Sequence, residues 1–318
     1  FCLAMVNLTV ASHKGGSGKT TTAVTLAACA YERGIPTYLI DLDANRSASH
    51  HVTSDVISGP GSGEILAMDS SEDFFSVARP VREKAPTGAD QPVSRLYLIP
   101  GSPRLTSVNH ELKGDPQLLR YLLDEAYVEA RGLSDGDQIP KDQYADHINV
   151  IDCGQGIDML TLNGIAASDI MICPVNCTGI SLSGIDQLLR NIEKARRNGW
   201  TGSLYFLPTI YSEASGKKAS GDSVISSLVS RYGRAEENED GQVLPPIRTW
   251  VGYDKAFRSG KTPIEIQSGR SENKAATDYR RVFELILKRE FPDVSTEMPT
   301  RLDELPLDGG QPAQPQRN

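Results

Sequence analysis

Short apolar runs alternate along the chain with longer segments in which apolar residues recur at helical spacing. The runs are rich in β-branched and aromatic residues, and they predict buried strands at 7–12, 37–42, 147–153, 169–174 and 203–208. Helical spacing that is soon closed by glycine or proline predicts helices at 20–33, 181–197 and 275–290. This alternation favours an α/β fold with a twisted, mostly parallel β-sheet and helices on both faces.

Other segments interrupt the alternation because they are acidic or rich in glycine and proline. We expect these segments to be surface excursions at 58–63, 132–146 and 234–241. The length of 318 residues permits one large domain or two smaller ones. We favour a single domain at 1–291, followed by a disordered tail at 292–318 that is rich in proline, glycine and polar residues.

The amino-acid composition favours a globular protein and argues against a membrane-spanning one. Apolar residues make up 39% and charged residues 23%, which is typical of a globular protein in water. No apolar stretch approaches the roughly 18 to 20 residues of a membrane helix, and no basic segment precedes an apolar one at the start, so we expect neither membrane association nor secretion. The five cysteines form no C-x-x-C pair, and we expect reduced, buried thiols and a cytoplasmic protein.

A glycine-rich loop with lysines lies between the first predicted strand and the first predicted helix. Glycines let successive backbone N–H groups point at one phosphate-sized hole, and the helix N-terminus adds a positive dipole end. In such a loop Lys19 neutralises the β- and γ-phosphate oxygens, and the Thr20 hydroxyl binds Mg²⁺. The residues expected to cradle the phosphates are Gly15, Gly16, Ser17, Gly18, Lys19, Thr20 and Thr21.

Aspartates stand at the ends of two other predicted strands. Asp41 and Asp43 close the second, and Asp152 lies at the end of the strand at 147–153. Because the carboxyl ends of neighbouring parallel strands share one edge, where ligands bind, these carboxylates can face a nucleotide. The two-residue period puts Asp41 and Asp43 on the same side. Helix capping by either carboxylate is the alternative.

The loop sequence K-G-G-x-G-K-T departs from the general phosphate-loop pattern, since His13 stands where the first glycine is expected. In this form it resembles the deviant Walker A motif of the ParA/MinD superfamily, and Lys14 matches the signature lysine of that superfamily. Further segments resemble the superfamily in the same order over about 8–291. The resemblance implies a P-loop NTPase fold and an ATP hydrolase that uses ATP and Mg²⁺.

The resemblance also assigns roles to individual residues. It implies that Asp43 orients the attacking water, that Asp41 belongs to the magnesium shell, and that Asp152 holds Mg²⁺ through a coordinated water. Lys14 would cross to the phosphates of a second subunit in an ATP-bound sandwich dimer, which makes Lys14, Lys19 and Asp43 the catalytic set. Pro246 lies in a segment that is similar to the loop closing over adenine.

One stretch departs from the superfamily pattern. Cys153, Gly154, Gln155 and Gly156 follow the Walker B aspartate, where relatives commonly carry one or two prolines. This difference concerns the conformation of the loop after the strand. It leaves the expected metal role of Asp152 unchanged.

Several branches of the superfamily lack support in the sequence. No cysteines are spaced to bridge an iron–sulfur cluster, the C-terminal segment is no basic amphipathic helix, and 292–318 carries no tyrosine cluster. The similarity therefore favours ParA-type partition ATPases, which segregate plasmid or chromosome DNA. It implies a homodimer on ATP, binding to nonspecific double-stranded DNA, a ParB-like adaptor, no membrane contact and a nucleoid-associated cytoplasmic location.

The net charge of −8 gives no general attraction to nucleic acid, so any DNA contact must use a local patch. Residues 246–290 hold ten basic and six acidic residues, a local excess of +4. This excess predicts a phosphate-binding strip, with ordinary salt bridges on a solvated helix face as the alternative. The candidate DNA-binding residues are Lys255, Arg258, Lys261, Arg270, Arg280 and Arg281.

Two other functions remain compatible with these residues. The same ATP switch could position a non-DNA cargo such as a protein microcompartment, a flagellum or a secretion apparatus. A metabolic P-loop enzyme such as an amidoligase, in which ATP drives synthesis, is the further alternative. ATP-dependent DNA binding distinguishes the first alternative from partition, and phosphate release without added metabolite distinguishes the second.

Overall fold

The computed structural model describes residues 5–53, 58–68, 74–84, 94–112, 115–130, 147–156, 158–178, 183–266 and 273–292. These ranges contain a seven-stranded sheet in the order β3-β4-β2-β5-β1-β6-β7. All neighbouring strands pair in parallel except β3, which is antiparallel to β4. The strands are β1 (Val6–Val10), β2 (Thr37–Leu42), β3 (Arg79–Lys84), β4 (Ser94–Ile99), β5 (Ile148–Cys153), β6 (Ile170–Asn176) and β7 (Ser203–Thr209).

Helices cover both faces of this sheet. They are α1 (Lys19–Glu32), α2 (Ser47–Val52), α3 (Ser62–Leu66), α4 (Leu105–Glu111), α5 (Leu118–Ala130), α6 (Met159–Ala167), α7 (Ser183–Arg197), α8 (Ser215–Tyr232), α9 (Tyr253–Arg258) and α10 (Lys274–Glu290). Successive residues of β2 alternate between two cores, because Leu39 packs with α1 and α10 whereas Ile40 packs with α3 to α8. The predicted α/β architecture with a mostly parallel sheet is confirmed.

The five predicted strands correspond to β1, β2, β5, β6 and β7, whereas β3 and β4 were not predicted. The β3 strand has the polar sequence RPVREK, and its place at the sheet edge tolerates Pro80 and charged side chains. The predicted helices correspond to α1, α7 and α10. The helices α2, α3, α4 and α9 were missed because each spans fewer than eight residues, too few turns to establish a periodic pattern. The longer helices α5, α6 and α8 were also not predicted.

The predicted excursion at 58–63 is wrong at its C-terminal end. Gly61 is buried, and Ser62 and Gly63 begin α3, with the Ser62 hydroxyl donating to the Asp41 carbonyl at 2.6 Å. A Cβ atom on Gly61 would lie 2.3 Å from the Pro100 carbonyl oxygen, so this close approach requires glycine. In the excursion predicted at 234–241, residues 236–240 are exposed, whereas Ala235 and Gly241 at its ends are buried. The excursion predicted at 132–146 and the tail predicted at 292–318, apart from Pro292, lie outside the described residues.

Helix α1 is buried along most of its length, from Thr22 to Ala30. Its small residues, alanine above all, let it lie close to the sheet, and α10 packs against it from the other side. The Tyr279 hydroxyl of α10 and the Thr22 hydroxyl of α1 are 3.1 Å apart, which satisfies both groups in the core. The start of α1 is therefore held on a rigid support.

The described cysteines are buried thiols, as the sequence predicted. Among the described residues, Cys29, Cys153, Cys173 and Cys177 are free and buried, and burial raises the pKa of each thiol. None of the helices in the described ranges combines the length and apolar character that a membrane span requires.

Candidate nucleotide-binding site

The loop between β1 and α1 turns on two glycines in the left-handed region. Gly16 has φ 69° and Gly18 has φ 83°, conformations that side chains other than glycine rarely adopt. Asn176 donates to the Gly16 carbonyl at 3.0 Å, and Thr209 donates to the Ser17 carbonyl at 2.8 Å. These donors hold the two carbonyls toward β6 and β7. The opposite side of the loop is thereby left to backbone N–H groups, the arrangement that favours an anion.

Lys19 is the first residue of α1, and only 9% of it is exposed. Its Nζ atom reaches back to the Lys14 carbonyl at 3.4 Å, a long hydrogen bond for a charged donor. Among the described residues this is the one hydrogen bond of the ammonium, and phosphate oxygens would supply stronger, charged acceptors. Thr20 and Thr21 are half-buried in the same turn, whereas Lys14 is exposed on the loop.

The sheet register brings the strand-end aspartates together. Asp152 of β5 pairs with Asp41 of β2 on one side and with Val10 of β1 on the other. Because the glycine loop follows directly after β1, Asp152 lies between this loop and Asp41. The predicted convergence of these side chains at one edge of the sheet is confirmed.

The Asp41 carboxylate is fully buried and already accepts several hydrogen bonds. One oxygen accepts the backbone N–H and the hydroxyl of Ser49 at 2.8 and 2.7 Å, and the other accepts the Asp43 N–H at 3.0 Å. Burial raises the pKa of Asp41 to about 6, although these hydrogen bonds oppose the shift. Asp41 therefore anchors the first turn of α2. This is the role that the sequence analysis gave as the alternative, in which the carboxylate caps a helix. The place of Asp41 in a magnesium shell stays a prediction.

Asp152 is fully buried, yet both of its carboxylate oxygens lack a hydrogen-bond partner within the described part of the chain. Burial raises the pKa of Asp152 well above its ordinary value, and the nearby Asp41 raises it further. The Thr20 hydroxyl and the Lys19 ammonium act in the opposite direction. An orphaned buried carboxylate beside a hydroxyl fits the all-oxygen ligand set that Mg²⁺ prefers.

The protein side chains alone do not form a complete metal cage. Within the described ranges, no group of three or more His, Cys, Asp or Glu side chains is arranged to hold a metal ion. Mg²⁺ at nucleotide sites commonly uses one or two protein ligands and takes its others from phosphates and water. Asp152 and Thr20 therefore fit Mg²⁺ as the partner of a nucleotide rather than as a structural ion.

Asp43 lies just beyond β2 and is half-buried. Its Oδ1 atom accepts hydrogen bonds from the backbone and side chain of Asn45 at 2.9 and 3.0 Å, and its Oδ2 atom accepts one from the Ser47 hydroxyl at 2.8 Å. A Cβ atom on Gly154 would lie 3.5 Å from Oδ1, so the loop after β5 passes directly beside this carboxylate. Asp43 is thus oriented and still accessible from solvent.

Pro246 belongs to a segment that continues the sheet beyond β7. The Ile247 N–H donates to the Pro208 carbonyl at 2.8 Å, and the Tyr211 N–H donates to the Ile247 carbonyl at 3.0 Å. Because β7 also carries Thr209, which holds the glycine loop, Pro246 is tied to the same edge of the sheet. Its contact with a base stays a prediction.

The candidate DNA-binding residues differ in their surroundings. Arg280 makes two hydrogen bonds of 2.7 Å to Glu32, Arg281 pairs with Glu236 at 2.5 Å, and Arg258 pairs with Asp254 at 3.0 Å. In the ligand-free protein these three arginines therefore form ordinary salt bridges, which was the alternative to a phosphate-binding strip. Lys255 and Lys261 are exposed, and the described residues offer neither an ion pair. Arg270 lies outside the described residues.

Sequence reasoning missed the side chains that hold the site together. Ser49 anchors Asp41, whereas Asn176 and Thr209 anchor the glycine loop. The position of Asn176 and Thr209 at the carboxyl ends of β6 and β7 is the signal that could have identified them, because that edge carries the site.

Comparison with known proteins agrees with this geometry. A family described as AAA domain matches residues 5–203. The chromosome-partitioning ATPase Soj of Thermus thermophilus is 27% identical over 283 residues, which is 89% of this chain and 95% of that protein. The sporulation initiation inhibitor protein Soj of Bacillus subtilis is 30% identical over 191 residues, which is 60% of this chain and 66% of that protein.

A solved structure also resembles the whole sheet and its helices. Cobyrinic acid a,c-diamide synthase from Mycobacterium smegmatis, with a bound ATP analogue and magnesium, superposes with a TM-score of 0.65 at 25% identity. The superposition covers 91% of this chain and 96% of that one.

Proposed function

The chain belongs to the AAA-domain family and to the ParA/MinD superfamily of deviant Walker A ATPases, and from this premise we propose that it is a ParA-type partition ATPase. It hydrolyses ATP to ADP and phosphate, and a single domain at 1–291 carries the activity. The observation that carries this proposal is the orphaned Asp152 carboxylate beside Lys19 and Thr20 at the end of a glycine loop.

The glycine loop and the start of α1 bind the triphosphate. Lys19 neutralises the β- and γ-phosphate oxygens, while Thr20 and Asp152 hold Mg²⁺, and Asp41 supports this shell from β2. When bound, Mg²⁺ supplies positive charge to the oxygens of the transferred phosphoryl group. Pro246 borders the adenine. The similarity to chromosome-partitioning relatives supports this assignment.

Hydrolysis depends on placing one water in line with the γ-phosphate. Asp43 is suited to that task, because Asn45 and Ser47 fix its carboxylate at the open edge of the sheet. Lys14 is exposed, as a residue that reaches a second subunit has to be. In an ATP-bound homodimer its charge stabilises the departing phosphoryl group of the partner, which makes turnover depend on dimerisation.

The ATP-bound dimer binds nonspecific double-stranded DNA and is reset by a ParB-like adaptor that stimulates hydrolysis. This cycle segregates plasmid or chromosome DNA along the nucleoid. Lys255 and Lys261 are the best placed of the candidate residues, because both are exposed while Arg258, Arg280 and Arg281 are engaged in ion pairs. Dimerisation doubles the number of cations that one DNA duplex meets.

We expect DNA binding that depends on ATP and falls steeply with salt. Binding to a nonspecific duplex should be tight with ATP and Mg²⁺ at low ionic strength and weak with ADP, since only the paired subunits present enough cations. A gel shift over a series of salt concentrations, repeated with each nucleotide, measures this difference. DNA binding that is equal with ATP and ADP, or absent with both, would contradict the partition function and favour a non-DNA cargo.

Reversing the charges of Lys255 and Lys261 is expected to weaken DNA binding at least about tenfold and to reduce the salt slope by about 1 per lysine that contacts a phosphate. ATP hydrolysis without DNA should stay unchanged. The control reverses Lys194 and Arg197, which are exposed on α7 in the opposite core layer, and Arg197 forms a long ion pair of 3.9 Å with Glu193. An equal loss of DNA affinity in both double variants would point to net charge rather than to this surface.

The likeness to a cobyrinic acid a,c-diamide synthase favours a second candidate function, an amidoligase in which ATP drives amide formation. An amidoligase couples phosphate release to its acid substrate, whereas a partition ATPase releases phosphate from ATP alone or with DNA and adaptor. Single-turnover phosphate release from ATP and Mg²⁺, with no metabolite present, therefore separates the two functions.

A further inference from the structure

The loop after β5 lies between the Asp43 carboxylate and the glycine loop of the proposed site. It begins in register with β2, because Cys153 pairs with Leu42, the residue before Asp43. Gly154 then passes beside the Asp43 carboxylate, and Gln155 follows. On its far side the loop is fixed to α6, since the Thr161 hydroxyl donates to the Gly156 carbonyl at 3.3 Å.

The Gln155 side chain lies over the glycine loop. A Cβ atom placed on Gly15 would be 2.8 Å from Oε1 and 3.1 Å from Nε2 of Gln155. The carboxamide therefore covers the backbone of Gly15, next to the exposed Lys14. Gly156 has φ 99°, a left-handed turn that glycine permits, and it ends the excursion of the chain toward Gly15.

This carboxamide is free to act on a ligand. Gln155 is exposed, and within the described ranges its amide has no hydrogen bond. A carboxamide offers two N–H donors and one carbonyl acceptor on the same rigid plane. It can therefore donate to a phosphoryl oxygen and accept from a water at the same time, which neither a carboxylate nor an ammonium can do.

We propose that Gln155 is a further catalytic residue, whose carboxamide bridges the γ-phosphoryl group on the glycine loop and the attacking water oriented by Asp43. The proposal rests on the proposed ATPase function. Its geometric basis is that one loop lies between Asp43 and Gly15. Gly154 of this loop lies beside the Asp43 carboxylate, and the Gln155 side chain lies over Gly15.

The chemical step is the ordinary hydrolysis of the terminal anhydride. The water oxygen forms a bond to the γ-phosphorus, and the bond from this phosphorus to the bridging oxygen breaks with its electron pair staying on ADP. The proton released by the water passes to the phosphate product or to solvent. Gln155 neither gains nor loses a proton, because it acts by orienting the water and by donating to oxygens whose charge increases in the transition state.

Gln155→Ala is expected to lower the single-turnover rate of ATP hydrolysis by on the order of 10²-fold, as the loss of one preorganised donor does elsewhere. The dissociation constant for ATP should change by less than about threefold, because the lost contact forms mainly in the transition state. The assay uses the full chain in excess over γ-labelled ATP with Mg²⁺, and a fluorescent ATP analogue measures binding.

Gln155→Glu separates catalysis from packing. Glutamate has the same length and shape and would still cover Gly15, but it offers no N–H donor and carries negative charge. The rate at saturating ATP should fall as in the alanine variant. Gln117→Ala, an exposed glutamine near α5, is the matched control and should keep the parental rate.

The outcomes separate a failure of the Gln155 role from a failure of the proposed ATPase function. Parental rates in Gln155→Ala or Gln155→Glu, with an active parent protein, overturn the role of Gln155 alone. A rate that falls only in proportion to ATP affinity does the same, since it reduces the residue to a binding contact. Absence of hydrolysis in the parent protein with ATP and Mg²⁺ overturns the proposed ATPase function, and the role of Gln155 with it.

Discussion

Replacement of Asp43 by alanine is expected to lower the rate of ATP hydrolysis by about 10³-fold while ATP binding stays within a few-fold of the parent. The carboxylate is held by Asn45 and Ser47 at the edge of the sheet, so its loss removes an oriented acceptor for the attacking water. The carbonyls of the glycine loop are held by Asn176 and Thr209 instead, so the loop does not depend on these Asp43 hydrogen bonds. Single-turnover phosphate release and nucleotide titration measure the two quantities.

The control for this variant is Asp240→Ala, because Asp240 is an exposed carboxylate in the surface segment 236–240. It should hydrolyse ATP at the parental rate. Asp43→Asn should retain the hydrogen bond to the Ser47 hydroxyl and yet remain slow, since a neutral amide is a weaker acceptor for the water proton. Hydrolysis at the parental rate in Asp43→Ala would remove Asp43 from the catalytic set.

Three central strands could be predicted because both of their faces are buried, although the neighbouring strand β4, which also reaches both core layers, was missed. The β1, β2 and β5 strands are buried at nearly every position, which produces the continuous apolar runs visible in the sequence. Among the strands of the described ranges, β3 lies at the edge of the sheet and pairs with β4 alone. Burial on a single side demands few apolar residues, so a polar sequence such as RPVREK cannot be recognised without its partner.

The site was predictable to the extent that backbone conformation and strand ends define it. The clustered glycines predicted the phosphate-binding loop, and two of them have the positive φ that such a loop requires. The aspartates at the strand ends predicted that their side chains meet at one edge of the sheet. The sequence did not predict the difference between Asp41, whose carboxylate accepts hydrogen bonds from Ser49 and Asp43, and Asp152, whose carboxylate accepts none among the described residues. Side-chain hydrogen bonds between elements have no periodic signal in the sequence.

The basic strip illustrates the same limit for charge. The sequence excess of +4 over 246–290 is real, but ion pairs with residues outside this range engage part of it. Arg280 reaches Glu32 of α1, and Arg281 reaches Glu236 beyond α8. Pairs between distant segments depend on the tertiary fold, so counting charges along the chain overstates the number of cations available to DNA.

Asp152→Asn is expected to stabilise the ligand-free protein and to weaken its stabilisation by Mg²⁺ and ATP. The substitution replaces a buried, unpartnered carboxylate with a neutral group of the same shape. Removing such a group should raise the free energy of unfolding at pH 8 by about 1–3 kcal/mol. The parent should gain about 2.7 kcal/mol from nucleotide at 100 times its dissociation constant, and the variant should lose most of this gain. Urea unfolding, with and without Mg²⁺ and ATP, measures both effects.

The pH dependence of this stabilisation follows from the direction of the pKa shifts. Burial raises the pKa of Asp152 and that of Asp41, the latter to about 6, so the folded protein retains protons that the unfolded chain releases above about pH 4. Stability of the ligand-free parent should therefore fall as pH rises from about 4 through the raised pKa values. Asp152→Asn removes one of these two groups, so its advantage should be small at pH 5 and largest at pH 8. Asp240→Asn, an exposed control, should change neither curve. An advantage that is equal at both pH values would show that Asp152 is not a protonated, buried acid in the ligand-free fold.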